Sequence, residues 1–150
     1  MANIAEQIRD NFETEVSTAL GATYSELKYK VNPAQNDFKT NKKGYGVVPR
    51  EAAVVEGVIR SVTVDHVFDV VLTQDYHNQK SDAKQLVSTF ELFDKMNDIS
   101  DAVVSTNLSL PGTVYVVNLL SIDEPEYLED DNVVVLIAKY IIKYRTSIDN

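Results

Sequence analysis

The sequence predicts an α+β fold, in which a mostly antiparallel sheet with a long central strand is flanked by two main helices. The central strand is residues 58–76, where apolar and polar residues alternate almost without a break, as expected for a strand with one buried face. One stretch with apolar residues at helical spacing precedes this strand and another follows it. Two further strand-like stretches, 113–122 and 132–145, close the chain. We expect a single domain, residues 1–150, because a chain of this length supports one core.

The first helix is predicted by apolar residues at every fourth position, which place a stripe on one helical face. Gly21 follows the stripe and is a typical helix stop. For the second helix, Ser81 fits the N-cap position and the predicted end is near Asn97. The two stripes are Ile4, Ile8, Phe12, Val16 and Leu20, and then Ala83, Leu86, Val87, Phe90 and Phe93.

The chain between the first helix and the central strand is harder to interpret. Residues 24–31 predict a first strand, which Pro33 ends because a residue before proline is pushed into an extended conformation. Residues 33–47 show little periodicity and predict a long loop, which in a compact domain is usually functional or mobile. An extended hairpin with arms 24–31 and 45–55 is the alternative.

The last strand, 132–145, is apolar on both faces over its first half. From Val134 to Tyr144 its even positions are all apolar or aromatic, and its odd positions Val133, Val135 and Ile137 are apolar as well. Such a strand needs cover on both sides, which either the two helices of the chain or a neighbouring subunit would provide. The side chains predicted to be mostly buried are Ile8, Phe12, Phe68, Val70, Leu86, Phe90, Leu136 and Ile142.

Composition limits the classes of function. The chain has no cysteine, which excludes disulfides and thiolate metal sites. Its acidic start lacks the features of a signal peptide, and the apolar run 133–138 is too short to span a bilayer as a helix. The net charge of −9 disfavours ordinary nucleic-acid binding, in which lysine and arginine must neutralise phosphates.

Charge is unevenly distributed along the sequence. Residues 32–50 contain one acid and four bases, whereas residues 123–131 contain six acids and no base. These oppositely charged loops could contact each other between copies of the chain or contact partners, although solvated loops would give the same pattern. The four bases are Lys39, Lys42, Lys43 and Arg50.

Candidate catalytic and metal-binding groups are few. His66 and His77 are the only histidines, and no short spacing places both rings on one side of an element. His66 shares its strand face with Phe68, which favours a buried, hydrogen-bonded histidine. Asp123 and Glu124 lie among other acids and not in an apolar cleft that would raise a pKa. Because nucleophile elbows and glycine-rich phosphate loops are also missing, we expect no enzymatic activity and no metal or cofactor.

The order of elements, together with the stretches YGVVP at 45–49 and VDHVFDVVLTQDY at 64–76, resembles the tail terminator (tail completion) proteins of long-tailed bacteriophages, of the lambda type. The resemblance covers residues 4–145. It implies a homohexameric ring that caps the tail tube at full length and offers the attachment surface for the head. The implied partners are the chain itself, the tail tube protein and a neck or head-completion protein, with DNA only passing through the lumen. The implied location is the virion tail near the head–tail junction, after assembly in the host cytoplasm.

Two other functions remain open from the sequence. One is a neck or head–tail connector protein, and the other is a small α+β ligand-binding domain with its pocket around His66. For the ring, the candidate interface combines the charged loops with the apolar half of the last strand. Its residues are Lys39, Lys42, Lys43, Tyr45, Arg50, Asp123, Glu124, Glu126, Val133, Val135 and Ile137.

Overall fold

Two helices and a six-stranded sheet form the described part of the computed structural model, which comprises residues 3–38, 42–58, 61–76, 82–106, 108 and 113–147. A short 3₁₀ turn, Pro33–Gln35, adds to these elements. The helices are α1 (Ile4–Leu20) and α2 (Asp82–Thr106). The strands are β1 (Ser25–Glu26), β2 (Gly44–Val58), β3 (Ser61–Asp75), β4 (Val114–Ile122), β5 (Glu126–Leu128) and β6 (Val133–Ser147).

The sheet has the order β1-β2-β3-β6-β4, and the short β5 pairs with the start of β6. Every pairing is antiparallel except that of β1 with β2. The predicted α+β class and the central position of the long strand are therefore confirmed. The strand itself begins at Ser61, because Val58 ends the preceding strand of a β2–β3 hairpin.

The alternation along β3 is also confirmed. Val64, Phe68, Val70 and Leu72 are buried on the face that packs against the two helices. Toward the end of the strand, Val71 on the opposite face is buried as well. Both faces of this half of the sheet are therefore covered.

Helix α1 forms as predicted. Its stripe of Ile8, Phe12, Val16 and Leu20 is buried. The Asn3 side chain accepts a hydrogen bond from the Glu6 amide at 2.8 Å and caps the first turn. Gly21 follows with φ 84°, a left-handed conformation that glycine adopts without strain.

Helix α2 differs from its prediction in length and in orientation. It continues to Thr106, beyond the predicted end near Asn97. Leu86 and Phe90 were predicted to be buried, but they are 48% and 62% exposed. The buried face instead carries Ser88, Thr89, Leu92, Met96, Ile99 and Val103. The predicted cap Ser81 lies outside the described residues.

Hydrogen bonding explains this orientation. The Ser88 hydroxyl donates to the Asp75 carbonyl at 3.0 Å, and the Thr89 hydroxyl lies 2.8 Å from the Tyr127 hydroxyl. With their polar groups satisfied, these two side chains can face the sheet. The apolar side chains of the first turns then point outward.

The prediction of a strand at 24–31 was wrong, and so was the alternative hairpin. Only Ser25–Glu26 is extended enough to pair, and this pairing with β2 is parallel. The rest of the segment is held by local bonds, in which the Asn36 side chain accepts from the Tyr29 amide and donates to the Tyr29 carbonyl. A Cβ atom at Gly44 would lie 2.3 Å from Leu27 Cδ2, so a larger residue there would displace the Leu27 side chain.

The irregular segment from Leu27 to Phe38 covers the second face of the sheet. Leu27 and Phe38 form a second buried cluster with Val71, Val133 and Val135. The apolar half of the last strand is thus covered by α1 and α2 on one face and by this segment on the other. Neither a neighbouring subunit nor the helices alone provide the cover, which corrects both alternatives from the sequence.

Candidate assembly interface

The sheet has two edges that are unpaired over most of their length within the described residues. On one side, β2 pairs with β1 only at Gly44 and Tyr45. On the other side, β4 pairs with β6 and has no strand beyond it. Each free edge presents backbone donors and acceptors that can pair with another chain.

Both edges also carry exposed apolar side chains. Val54 and Val55 on β2 are 67% and 52% exposed. On β4, Val116, Leu119 and Leu120 are 39%, 37% and 57% exposed. Apolar side chains beside an unpaired strand are typical of a surface that associates.

The two charged loops lie at the same end of the sheet. The basic loop is at the β2 edge and the acidic loop is at the opposite edge, which β4 and β5 form. Lys43 precedes Gly44, which pairs with Thr73, and Thr73 in turn pairs with Val135. On the other side, Glu126 pairs with Val135. Lys43 and Glu126 are therefore at one level, separated by β3 and β6, or about 14 Å at the usual strand spacing.

The acidic loop is an ordered structure and not a free coil. Its β5 strand pairs with β6, and the turn after it is closed by a hydrogen bond from the Asp131 amide to the Leu128 carbonyl at 3.1 Å. The predicted interface residues Asp123, Glu124 and Glu126 are exposed. Glu126 therefore lies in a small hairpin, and Asp123 and Glu124 lie in the link that precedes it.

The predicted basic group is split by the structure. Lys42 and Lys43 are partly exposed, and Lys43 Nζ lies 5.9 Å from the centre of the Tyr24 ring. Tyr45 is partly buried against the main core. Lys39 lies outside the described residues.

Arg50 has a different environment, further along β2. Its Nε donates to Asp69 Oδ2 at 2.7 Å, and Asp69 is 4% exposed. The other carboxylate oxygen, Oδ1, has no hydrogen-bond partner in the described part of the chain. Arg50 thus compensates a buried charge within its own chain, which is costly to leave unpaired, and does not join Lys42 and Lys43.

The apolar part of the predicted interface is covered within the chain. Val133 and Val135 are 0% and 3% exposed, under Leu27 and Phe38. Only Ile137, at the border of that cluster, is partly exposed. The expectation that the two valines form the apolar centre of a contact between copies does not fit this structure; the exposed side chains of the two edges fit it better.

His66 is a buried, hydrogen-bonded histidine, as the sequence indicated. Its Nε2 lies 2.9 Å from the Arg50 carbonyl, which can only accept, so Nε2 carries the proton. Its Nδ1, at 2.9 Å, then accepts from the Tyr144 hydroxyl. Burial lowers the pKa of His66 below its ordinary value of 6.5. With both nitrogens used, the ring has none left for a metal ion.

Other chemistry finds little support among the described residues. They contain no group of three or more histidine or acidic side chains arranged to hold a metal ion, and His77 lies outside them. A cleft of about 420 Å³ is open and polar, and it lies along α1 between Arg9, Glu13 and Glu26, away from His66. None of the helices in the described part of the chain is long and apolar enough to cross a membrane.

Comparison with known proteins gives a similarity at the level of the fold. No protein-family model matches the chain, and no curated protein matches it either. Among solved structures, it is similar to a chain from the "virion of native gene transfer agent (GTA) particle", with a TM-score of 0.59 and 11% identity. The similarity covers 92% of this chain and 94% of that chain. The two chains share a fold.

Two buried polar contacts of this fold were not foreseen from the sequence. The Tyr24 hydroxyl donates to Gln74 Oε1 at 2.5 Å, and the Gln74 amide donates to Glu91 on α2. Burial, with the nearby acids Glu91 and Asp75, raises the pKa of Tyr24 to about 12. Gln74 sits at an even position of the alternating strand, which was the available signal that it faces the core.

The second unforeseen contact fastens the segment that covers the last strand. Lys30 Nζ lies 2.6 Å from Glu13 Oε1 on α1 and also binds Glu26. Both Lys30 and Glu13 are largely buried. Since Glu13 lies in α1 and Lys30 in the covering segment, no sequence spacing could have paired these two residues.

Proposed function

We propose that this chain is a structural protein of a phage-type virion. Six copies of it assemble into a closed ring, in the arrangement of tail terminators. The ring caps the tail tube when the tube reaches full length, and it offers the surface to which a neck or head-completion protein attaches. The chain acts by assembly and not by catalysis.

The observation that carries this proposal is the shared fold over nearly the whole of both chains, this one and a chain from a gene transfer agent virion. Two free sheet edges with exposed apolar side chains support it, since a ring needs two different surfaces that complement each other. The sequence resemblance to tail terminators supports the more specific role at the end of the tail tube.

The charge of the chain suits the proposed position in the tail. DNA passes through the lumen of such a ring without being bound, and a net charge of −9 repels phosphate. The proposed partners are other copies of the chain, the tail tube protein and a neck or head-completion protein.

Deletion of the gene tests this function directly. Without a terminator, we expect tubes of uncontrolled length and heads that remain unattached, both visible by electron microscopy of lysates. Supplying the intact chain from a plasmid should restore tails of uniform length with heads attached. Normal, head-bearing tails in the deletion strain would contradict the proposal.

A further inference from the structure

We propose that the sheet continues from copy to copy around the ring: the free edge of β4 pairs with the free edge of β2 in the next copy. This inference rests on the ring assembly proposed above and names the contact that closes the ring. A second copy of the chain is thus the occupant of both edges.

Strand direction permits this pairing. β2 and β6 each run antiparallel to β3, and β4 runs antiparallel to β6. β4 therefore runs opposite to β2, and joining the two edges extends the antiparallel sheet without a change of pattern. The contact is heterologous, because each copy contributes β4 on one side and β2 on the other.

The two edges also lie at the same height of the sheet. Ala53 pairs with Asp65, Asp65 with Lys143, and Lys143 with Val116. Ala53 and Val116 are both exposed and lie on one face of the sheet. An unstaggered pairing of the edges therefore brings these two side chains together.

The apolar side chains give this contact a desolvated centre. The β2 edge presents Val54 and Val55 beside the exposed Ala52 and Ala53. The β4 edge presents Val116 at the level of Ala53, and it presents Leu119 and Leu120 further along, near the level of Pro49. Such strands aggregate when left open, so a specific partner at both edges is the simplest way to protect them.

The charged loops make the contact directional. Lys42 and Lys43 lie at one end of the sheet on the β2 side, and the acidic loop with Asp123, Glu124 and Glu126 lies at the same end on the β4 side. Edge pairing places the lysines of one copy beside the acids of the next. Opposite charges at the rim of an interface favour this head-to-tail docking over the pairing of two like edges.

Irregularities in both edges suit a curved sheet. β2 has register shifts between Pro49 and Ala52 and between Val54 and Glu56, and β4 has two as well. Bulges of this kind bend a strand and increase its twist, which closure of a sheet around an axis requires. Pro49 has no amide proton to donate, so it limits the paired length of the β2 edge.

Cysteine cross-linking tests the contact, because the native chain contains no cysteine. In the double variant Ala53→Cys/Val116→Cys, both changes are at exposed positions of the folded chain. Mild oxidation, or a short bis-maleimide that tolerates a small stagger, should give a ladder of covalent oligomers that ends at six. Each single variant should stay uncross-linked, since a head-to-tail contact never brings two identical positions together. A matched control is Val116→Cys/Val87→Cys, which moves one cysteine to the outer face of α2, where Val87 is 53% exposed.

The outcomes separate this contact from the ring itself. If the double variant forms rings but does not cross-link, the edge contact is wrong and the proposed function is unaffected. Dimers from either single variant overturn it too, because they show like edges pairing. A ladder that continues past six supports the edge contact and contradicts the closed ring. A native chain that stays monomeric at all concentrations overturns the ring, and the edge contact with it.

Discussion

At the scale of single residues, His66 shows how a polar group is held inside the sheet. It bridges the Arg50 carbonyl at an irregularity of β2 to the Tyr144 hydroxyl on β6. His66→Ala leaves both partners unsatisfied and should lower the free energy of unfolding by about 1–3 kcal/mol. Urea denaturation measures the change, and Tyr144→Phe, which removes one of the two bonds, should cost less.

The same residue predicts a pH dependence of stability. Since burial lowers the pKa of His66 below 6.5 in the folded state, the unfolded chain binds the proton more readily. The stabilisation is therefore complete above the unfolded pKa and is lost as the pH falls below it, toward the folded pKa. A His66→Gln variant should show a flatter dependence of unfolding free energy on pH in this range. If the unfolding free energy of both proteins changed with pH at the same slope, the lowered pKa of His66 would be contradicted.

The outward orientation of the first turns of α2 also rests on single residues. Phe90 is 62% exposed, whereas Leu92 is fully buried. Phe90→Ala should change the unfolding free energy by no more than about 0.5 kcal/mol, and Leu92→Ala should cost about 2–5 kcal/mol. Thermal and urea unfolding of the two variants measure this difference. Equal losses would mean that α2 is rotated about its axis relative to the structure described.

At the scale of elements, the regular patterns of β3 and α1 were read correctly, whereas the stripe of α2 and the irregular segment 27–38 were not. The alternation of β3 and the four-residue spacing of α1 carry their buried faces in the sequence itself. In α2, Ser88 and Thr89 face the sheet because their hydroxyls find partners there, which no periodicity encodes. The segment 27–38 has no repeating pattern, since it covers the sheet through two isolated side chains, Leu27 and Phe38.

This covering segment gives a prediction for β6. Val135 lies beneath this segment and is only 3% exposed. Val135→Asp therefore places a carboxylate in an apolar cluster that contains no basic side chain. We expect the variant to unfold or to lose most of its stability. Ile137→Asp, two residues along on the same face but partly exposed, is the matched control and should remain folded. Circular dichroism and urea titration distinguish them, and a stable Val135→Asp chain would contradict the covered face.

The charged loops predict how fast copies associate. Replacing Lys42 and Lys43 by Glu should slow assembly, most strongly at low salt, where charges are least screened. The change Asp123→Lys/Glu124→Lys should do the same, and a mixture of the two variants should assemble faster than either alone. Light scattering after dilution from denaturant follows the rate. Rates that do not depend on salt in any variant would remove the loops from the contact.

At the scale of the whole molecule, the sheet is closed on neither side and yet is well covered on its faces. The face toward the helices and half of the other face are buried within the chain. Exposed apolar side chains remain at the two edges and on the outer face of α2. The sequence did indicate the charged loops at the two edges, because a run of like charges can be recognised without knowing how the strands and helices are arranged. It pointed to Val133 and Val135 wrongly, since the burial of a strand face depends on a segment distant in the chain.

The oligomeric state of the native chain tests the account most directly. Sedimentation velocity over a wide range of protein concentration, with negative-stain electron microscopy of the same samples, measures both the mass and the symmetry of the assembly. The account predicts one closed species of six copies, seen as a ring with a central hole, that dissociates to monomer on dilution without stable intermediates. A monomer at every concentration, or a dimer related by a two-fold axis, would contradict it.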